Sequence, residues 1–402
     1  MRISTSTIFE SGSSKLSELQ ARLMQTQQQI ASGRSILTPA DDPVGSARAY
    51  DVKLSQAANT QYGINRQNVQ ASLRQEESIL TGVTGLLQDA KTLLVSAGNA
   101  SYTDTERQYL ATELRARYDD LLGLANAGDG IGGYLFSGFQ SSTQPFAETA
   151  GGAVYNGDQG TRLLQVDASR QLAFSDNGTA VFEQIKTGNG KFAVGAGASN
   201  AGSGIISQGQ VVDASLLTGH NYSIAFSVAA GVTTYAVTDN TSGTTLSSGN
   251  SYVSGQAISF DGVQLDIKGD PVNGDSFSVA PSLNKSLFAT LKETINLLNA
   301  PASGAAGQAR LNNGLGGAHS SIDNALSNIL TVRAAVGSRL KEIDALNSTG
   351  DDKDLQYAQT LSTLQDLDYS KAISSLTQQQ TTLSAAQQSF VKVSNLSLFN
   401  FI

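Results

Sequence analysis

Apolar residues recur at spacings of three and four toward both ends of the chain and alternate through its middle. In residues 1–33, Leu16, Leu19, Leu23 and Ile30 share one helix face, with Thr26 in the remaining seam position. The flank from Gln25 to Gln29 is glutamine-rich, so this arm has little to bury and needs a partner helix. No proline lies between Pro43 and Pro145. Within that interval Tyr62, Val69, Leu73, Leu80, Val83, Leu87, Ala90 and Leu94 keep one heptad register, interrupted by Arg66 and Glu76. The pattern predicts one helix from about Pro43 to Ala97, roughly 80 Å long at ~1.5 Å per residue. A globular helix averages about 11 residues, so this length points to a bundle or coiled coil. Gly98 and Asn99 end it. Thr103 with Glu106 reads as a capping box opening a helix that buries Leu110, Leu114, Leu121 and Ala125.

The stretch SGRSILTPADDPV, Ser32 to Val44, separates the arm from this long helix. Gly33 fits the position just past a helix end, where glycine turns left-handed without a Cβ clash, and Arg34 follows it. Pro39 pushes Thr38 out of the helical region. Asp42 and Pro43 read as N-cap and first helical residue: the carboxylate accepts orphan amides, and proline lacks one. This is a joint between a terminal arm and a body.

The helix after Thr103 ends in Asn126-Ala-Gly-Asp-Gly-Ile-Gly-Gly133, and alternation then replaces the heptad as far as about Pro281. Asn177-Gly178 and Asp261-Gly262 are hairpin-turn dipeptides. Ile258 and Phe260 alternate before the second, and Val263, Leu265 and Ile267 after it. Tyr222, Ile224, Phe226 and Val228 form another alternating strand. The Gly-, Ala- and Ser-rich span from about Lys186 to Gly219 reads as a loop-rich linker into an inserted β domain.

Helical spacing returns with Leu287, Leu291, Ile295 and Leu298. After a break from Pro301 to Gly317 it continues with Ile322, Ala325, Ile329, Val332, Val336, Ile343 and Leu346. Gly350, in Thr349-Gly-Asp-Asp352, reads as a second joint. A final glutamine-rich helix carries Ala372, Leu376, Leu383, Ala386, Phe390 and Val393 on one stripe, and LSLFNFI closes the chain as an apolar tag.

The fold class is therefore α+β: a long antiparallel helical bundle or coiled coil built from both chain ends, with a β-rich domain inserted in the middle. Six segments are expected. Residues 1–34 form an N-terminal arm, 35–133 and 285–350 the halves of a helical domain, and 134–186 a small β-hairpin region. Residues 187–284 form the inserted β domain and 351–402 a C-terminal arm. Two weak arms of matching composition at opposite chain ends are each other's natural partners.

Composition narrows the function. Charged residues are 15 % of the 402, below the usual share of about 25 %. The net charge of −8 argues against nucleic acid and anionic membranes as partners. No cysteine is present, which excludes disulfides and thiolate metal sites. The start shows no apolar stretch of the kind a Sec-type signal peptide needs, so none is expected.

Candidate chemistry is thin. Gly128-x-Gly130-x-x-Gly133 matches a dinucleotide fingerprint, but a helix precedes it and a strand follows, the reverse of the required context. Asp41-Asp42 and Asp351-Asp352 read as helix-start caps. GDPVNGD at 269–275 misses the calcium-loop spacing at Val272 and reads as a turn. His220 and His319 stand without ligand-spaced partners. No catalytic, cofactor-binding or metal-binding residue is expected, and no enzyme.

The residues so assembled resemble the flagellin superfamily, and within it the hook-associated proteins of the hook–filament junction. SGRSILTPADDPVGSARA, Ser32 to Ala49, is similar to the N-terminal signature, with Pro39 and Pro43 favouring the junction type over flagellins proper. Gly133-Tyr-Leu-Phe-Ser-Gly138 with Pro145-Phe146 resembles the helix-to-β transition. Tyr155-Asn-Gly-Asp158 and Val181-Phe182 resemble the small hairpin region. The run from Leu367 through Ala386 to Leu398-Phe399-Asn400 resembles the terminal helix and tag. GQAISFDGVQLDIKGDPVNGD, Gly255 to Asp275, resembles a β module of hook-associated proteins.

The resemblance implies a non-catalytic axial subunit of the bacterial flagellum, exported by the flagellar type III channel without a cleaved signal. Its implied partners are copies of itself in a ring, the first hook-associated protein, flagellin and an export chaperone. Its arms would fold on assembly, with Leu16, Leu19, Leu23, Ile30, Leu376, Leu383, Phe390 and Val393 as contact residues. Two alternatives stay open: a flagellin-like filament subunit, and an extracellular binding module acting through the β insert.

Overall fold

The computed structural model describes residues 5–130 and 132–395. Its helices are α1 (Thr5–Ser32), α2 (Pro43–Ala97), α3 (Asp104–Ala125), α4 (Leu287–Asn299), α5 (Gly304–Gln365) and α6 (Tyr369–Asn395). The chain is α+β: the helices come from its two ends, α1 packs on α6, and antiparallel sheets fill the middle. Two compact units result. One takes the described residues up to 65 and from 345 onward, the other residues 66–344. The first thus reaches beyond arms drawn at 1–34 and 351–402, because it includes one end of α2 and one end of α5.

In the second unit the heptad of α2 is the core face: Val69, Leu73, Leu80, Val83, Leu87, Ala90 and Leu94 are all buried. The α3 capping box is present. Thr103 N–H donates to Glu106 Oε2 at 2.6 Å, and Glu106 N–H to Thr103 Oγ1 at 3.3 Å. Leu114, Leu121 and Ala125 are buried below it. The two residues that break the α2 register, Arg66 and Glu76, are buried as well. Arg66 Nη1 donates to the Val166 carbonyl at 3.0 Å, so a charge in the seam tethers a β-hairpin.

The glycine-rich end of α3 closes on itself. Asp129 N–H donates to Gly133 O at 2.8 Å, and Gly133 N–H to Asp129 Oδ1 at 2.9 Å. Helix α5 corrects the expected break from Pro301 to Gly317, since only residues 300–303 separate it from α4. Glycine there serves close packing: a Cβ on Gly314 would meet Leu297 Cδ2 at 2.4 Å.

Two short hairpins follow α3: β1 (Phe146–Thr149) with β2 (Gly152–Tyr155), and β3 (Leu163–Asp167) with β4 (Arg170–Ala173). Asn177-Gly178 does not make a hairpin turn. Asn177 Oδ1 instead accepts the Ala180 N–H at 3.0 Å and starts a short π-helical turn, Thr179–Glu183.

The β domain holds β5 (Ile185–Lys186), β6 (Phe192–Ala196), β7 (Ile205–Ile206), β8 (Gln210–Val211), β9 (Tyr222–Ala229) and β10 (Val232–Asp239). It continues with β11 (Thr244–Ser251), β12 (Ala257–Phe260), β13 (Val263–Lys268), β14 (Ser276–Pro281) and β15 (Asn284–Lys285). One sheet runs β11-β10-β9-β14-β6, a second β12-β13-β7 with β8 also on β13, and β5 pairs with β15. Phe192, Ile224, Phe226, Leu265, Ile267, Phe277 and Val279 pack into one apolar core. Asp261 (φ +40°) and Gly262 (φ +76°) make the tight turn between β12 and β13 that the dipeptide predicts. The span read as a linker, Lys186 to Gly219, supplies β6, β7 and β8; Phe192, Val194 and Ala196 of β6 face the apolar core, although the small residues around them favour strands poorly. In the GDPVNGD turn, Asp275 is buried and its carboxylate accepts the N–H groups of Ala201, Gly202 and Val272.

Candidate functional site in the terminal helices

The first unit is built on the pairing of α1 with α6. Both helices are polar apart from one apolar stripe, so pairing is the way either covers it. Leu16, Leu19, Leu23 and Ile30 on α1, and Leu376, Leu383 and Phe390 on α6, are half-buried; Thr26 and Ala372 are buried. Thr26 Oγ1 donates back to the Arg22 carbonyl at 3.1 Å, which lets a hydroxyl sit in an apolar seam. Phe9 and Phe390 pack with tilted rings at 5.2 Å between centroids. Gly12 makes room for that ring, since a Cβ there would meet Phe390 Cδ2 at 2.7 Å. Val393 departs from the predicted stripe and is 51 % exposed. The closing tag, Leu396 to Ile402, lies outside the described residues.

Apolar side chains remain uncovered around this pair. Phe9, Met24, Tyr369, Ile373 and Val391 are all more than half exposed. On the surface between them, Glu18 accepts from Lys15 Nζ at 2.7 Å and from Arg22 Nη2 at 2.6 Å, and the Lys15 hydrogen bond is the main cause of its lowered pKa. Exposed pairs of this kind contribute little stability.

The joint has defined geometry. Gly33 ends α1 with φ +70°. Pro39 occupies the second position of a turn that Asp41 N–H closes on Thr38 O at 3.0 Å. Asp41 Oδ2 accepts the N–H groups of Thr38 (2.8 Å) and Leu37 (3.0 Å), and Gln25 Nε2 reaches its other oxygen at 2.6 Å. These bonds, the Thr38 amide first, hold the Asp41 carboxyl below its usual range. Asp42 caps α2 by accepting the Gly45 N–H at 2.9 Å, with Pro43 as the first helical residue. Arg34 bridges to Asp366 across an antiparallel pair. Ser35 N–H donates to Gln365 O at 2.8 Å, and Leu367 N–H to Gly33 O at 3.0 Å.

The second joint is therefore at 366–368 and not at Gly350. Gly350 lies buried inside the unbroken α5, where its carbonyl accepts Asn59 Nδ2 at 2.8 Å. A helix interior tolerates one glycine at about 1 kcal/mol, a cost that packing readily offsets. Ser35, Asn59, Leu367 and Asp368 complete the joints without having stood out as joint residues in the sequence. Only Asp368 carried a local signal: its carboxylate accepts the Lys371 N–H at 3.1 Å as the cap of α6.

Elsewhere His220 Nδ1 pairs with Asp239 at 2.7 Å. Among the described residues no group of three His, Asp or Glu could hold a metal ion, and no helix is long and apolar enough to cross a membrane.

Comparison with known proteins agrees with this architecture. Residues 3–141 match the bacterial flagellin N-terminal helical region, and residues 196–281 match the D2-like domain of flagellar hook-associated protein 1. Flagellar hook-associated protein 3 of Salmonella typhimurium is 28 % identical over 407 aligned positions, covering 99 % of both chains. The crystal structure of flagellar hook-associated protein 3 from Legionella pneumophila aligns with a TM-score of 0.74 at 32 % identity, over 78 % of this chain and 98 % of that one. FlgL of Xanthomonas campestris aligns with a TM-score of 0.72 at 32 % identity, over 77 % and 99 %. The chain thus belongs to the flagellar hook-associated protein 3 family.

Proposed function

We propose that this protein is a structural subunit of the flagellum that joins hook to filament. A ring of its copies would sit between the first hook-associated protein and flagellin. The observation that carries this reading is the terminal unit. Its paired helices keep Phe9, Met24, Ile373 and Val391 more than half exposed, and neighbouring chains in an assembly would take them out of water. A Legionella pneumophila relative at 32 % identity is described as a flagellar junction protein, which supports the same role. Leu16, Leu19, Leu23, Ile30, Leu376, Leu383, Phe390 and Val393 are the proposed assembly contacts. The arms would order fully only on assembly, with the ordering cost met at that moment. Export through the flagellar type III channel without a cleaved signal, with a chaperone on the C-terminal arm, completes the proposal.

A strain lacking the gene tests it. Intact hooks without filaments, and flagellin shed into the medium, are the expected result. Normal filaments would overturn the junction role.

A further inference from the structure

Glu76 sits in the apolar seam of α2, one turn from Leu73 and from Leu80, and all three side chains are fully buried. Its Oε1 accepts the Asp176 N–H at 3.2 Å, while Oε2 is buried with no hydrogen-bond partner. Asp176 lies on the segment between β4 and the π-helical turn, and its carboxylate is ion-paired with Arg339 of α5. Arg339 thus pairs directly with Asp176 and acts on Glu76 only through its charge. The charged groups facing Glu76 are Asp176 from the segment and Arg339 from α5; the adjacent Glu77 is engaged by Arg333 of α5 at 2.7 Å.

The same segment is fastened on both sides of Asp176. Ser72 Oγ of α2 donates to Phe174 O at 2.7 Å, Arg339 Nη1 to Ala173 O at 3.3 Å, and Gly178 N–H to Phe136 O at 2.8 Å. A buried carboxylate with one orphan oxygen beside a second carboxylate is an unfavourable arrangement, and a neutral carboxyl removes the conflict. We propose that residues 174–178 form a latch on α2, held shut by a neutral Glu76 carboxyl and loosened when that carboxyl ionises.

The electrostatics agree. Burial, reinforced by the Asp176 charge and partly offset by Arg339, pushes the Glu76 carboxyl up to about 8. With the latch open the group is solvated and returns toward its ordinary value of 4.5. Opening then becomes up to about tenfold easier per pH unit between these two values and levels off above the upper one.

Hydrogen exchange of the full chain at pH 5.5 and 7.5, corrected for intrinsic rates, reads this directly. Opening of 174–178 is expected to rise at least ~tenfold, while amides of β9 stay unchanged and Glu76→Gln holds the segment within about twofold. Constant protection in the native protein, or an equal rise in Glu76→Gln, overturns the latch. Should that variant not fold, the native profile and Asp176→Asn decide. A rise that levels off on the alkaline side supports the proposal, and a rise equally steep in the native protein and in Asp176→Asn, with no plateau, overturns it.

Discussion

The backbone N–H of Leu367 donates to the carbonyl of Gly33 at 3.0 Å, and so fixes the two interhelical joints to one another although they lie near opposite ends of the chain. The bond requires Gly33 to turn left-handed, at φ +70°, with its α-carbon close beneath Tyr369: a Cβ there would lie 3.0 Å from Oη. Gly33→Val should cost at least ~1–2 kcal/mol from the backbone conformation alone. Urea denaturation and limited proteolysis would show it as earlier loss of the terminal unit. A variant as resistant as the native chain would remove the joint from the account.

Asp42 caps α2 through Gly45 N–H at 2.9 Å. Asp42→Ala should destabilise the first turn of that helix by about 1 kcal/mol, and Asp42→Asn by much less. Equal effects of the two substitutions, measured by chemical denaturation, would contradict the cap.

Leu19 and Phe390 belong to the terminal unit, which is distinct from the unit of residues 66–344. Leu19→Asp or Phe390→Asp should abolish assembly and leave the melt of that second unit cooperative. Limited proteolysis of the monomer should trim both ends first. Termini as protected as the body, or loss of the cooperative melt in either variant, would count against separate roles for the two units.

Glu148 of β1 accepts from Arg115 Nη1 of α3 at 2.5 Å and from Lys292 Nζ of α4 at 3.2 Å. The Arg115 hydrogen bond first, and then the Lys292 one, lower its carboxyl to about 2 from the ordinary 4.5. The folded value is depressed, so its contribution is present above 4.5 and lost as pH falls toward 2. Glu148→Gln should flatten the stability profile in that window only, and modestly, because the pair is solvent-screened. Stability measured from pH 6 to 2 with an unchanged slope would refute the linkage.

Phe288 of α4 packs against Phe146 at 4.8 Å, Phe182 at 5.9 Å and Tyr118 at 5.9 Å between centroids. It is fully buried, and Phe288→Ala should cost roughly 3–5 kcal/mol through lost transfer energy and the cavity left behind. A calorimetric scan showing less than about 1 kcal/mol would mean that the ring cluster is not a unit of the core.

The sequence by itself determined the features whose causes are local. Pro43 and Asp42 start α2, Thr103 and Glu106 cap α3, and Asp261-Gly262 turns β12 into β13, because each depends on backbone geometry within four residues. The seams of the long helices were legible too, since heptad spacing states which face is buried. Tertiary structure decided the rest. Gly350 stays helical because α5 packs through it and Asn59 meets its carbonyl, so a residue that favours a break sits in the middle of a helix. The second joint forms at 366–368 because residues 33–35 supply backbone partners from the other end of the chain. The Gly- and Ala-rich β6 becomes a strand through its pairing with β14, because its small residues carry little strand preference of their own. Glu76, an interruption in a heptad, acquires its meaning from Asp176 and Arg339, one hundred or more residues away. Local chemistry sets where elements can begin and end; the partners that supply missing hydrogen bonds and charges across the chain decide which of those options the protein takes.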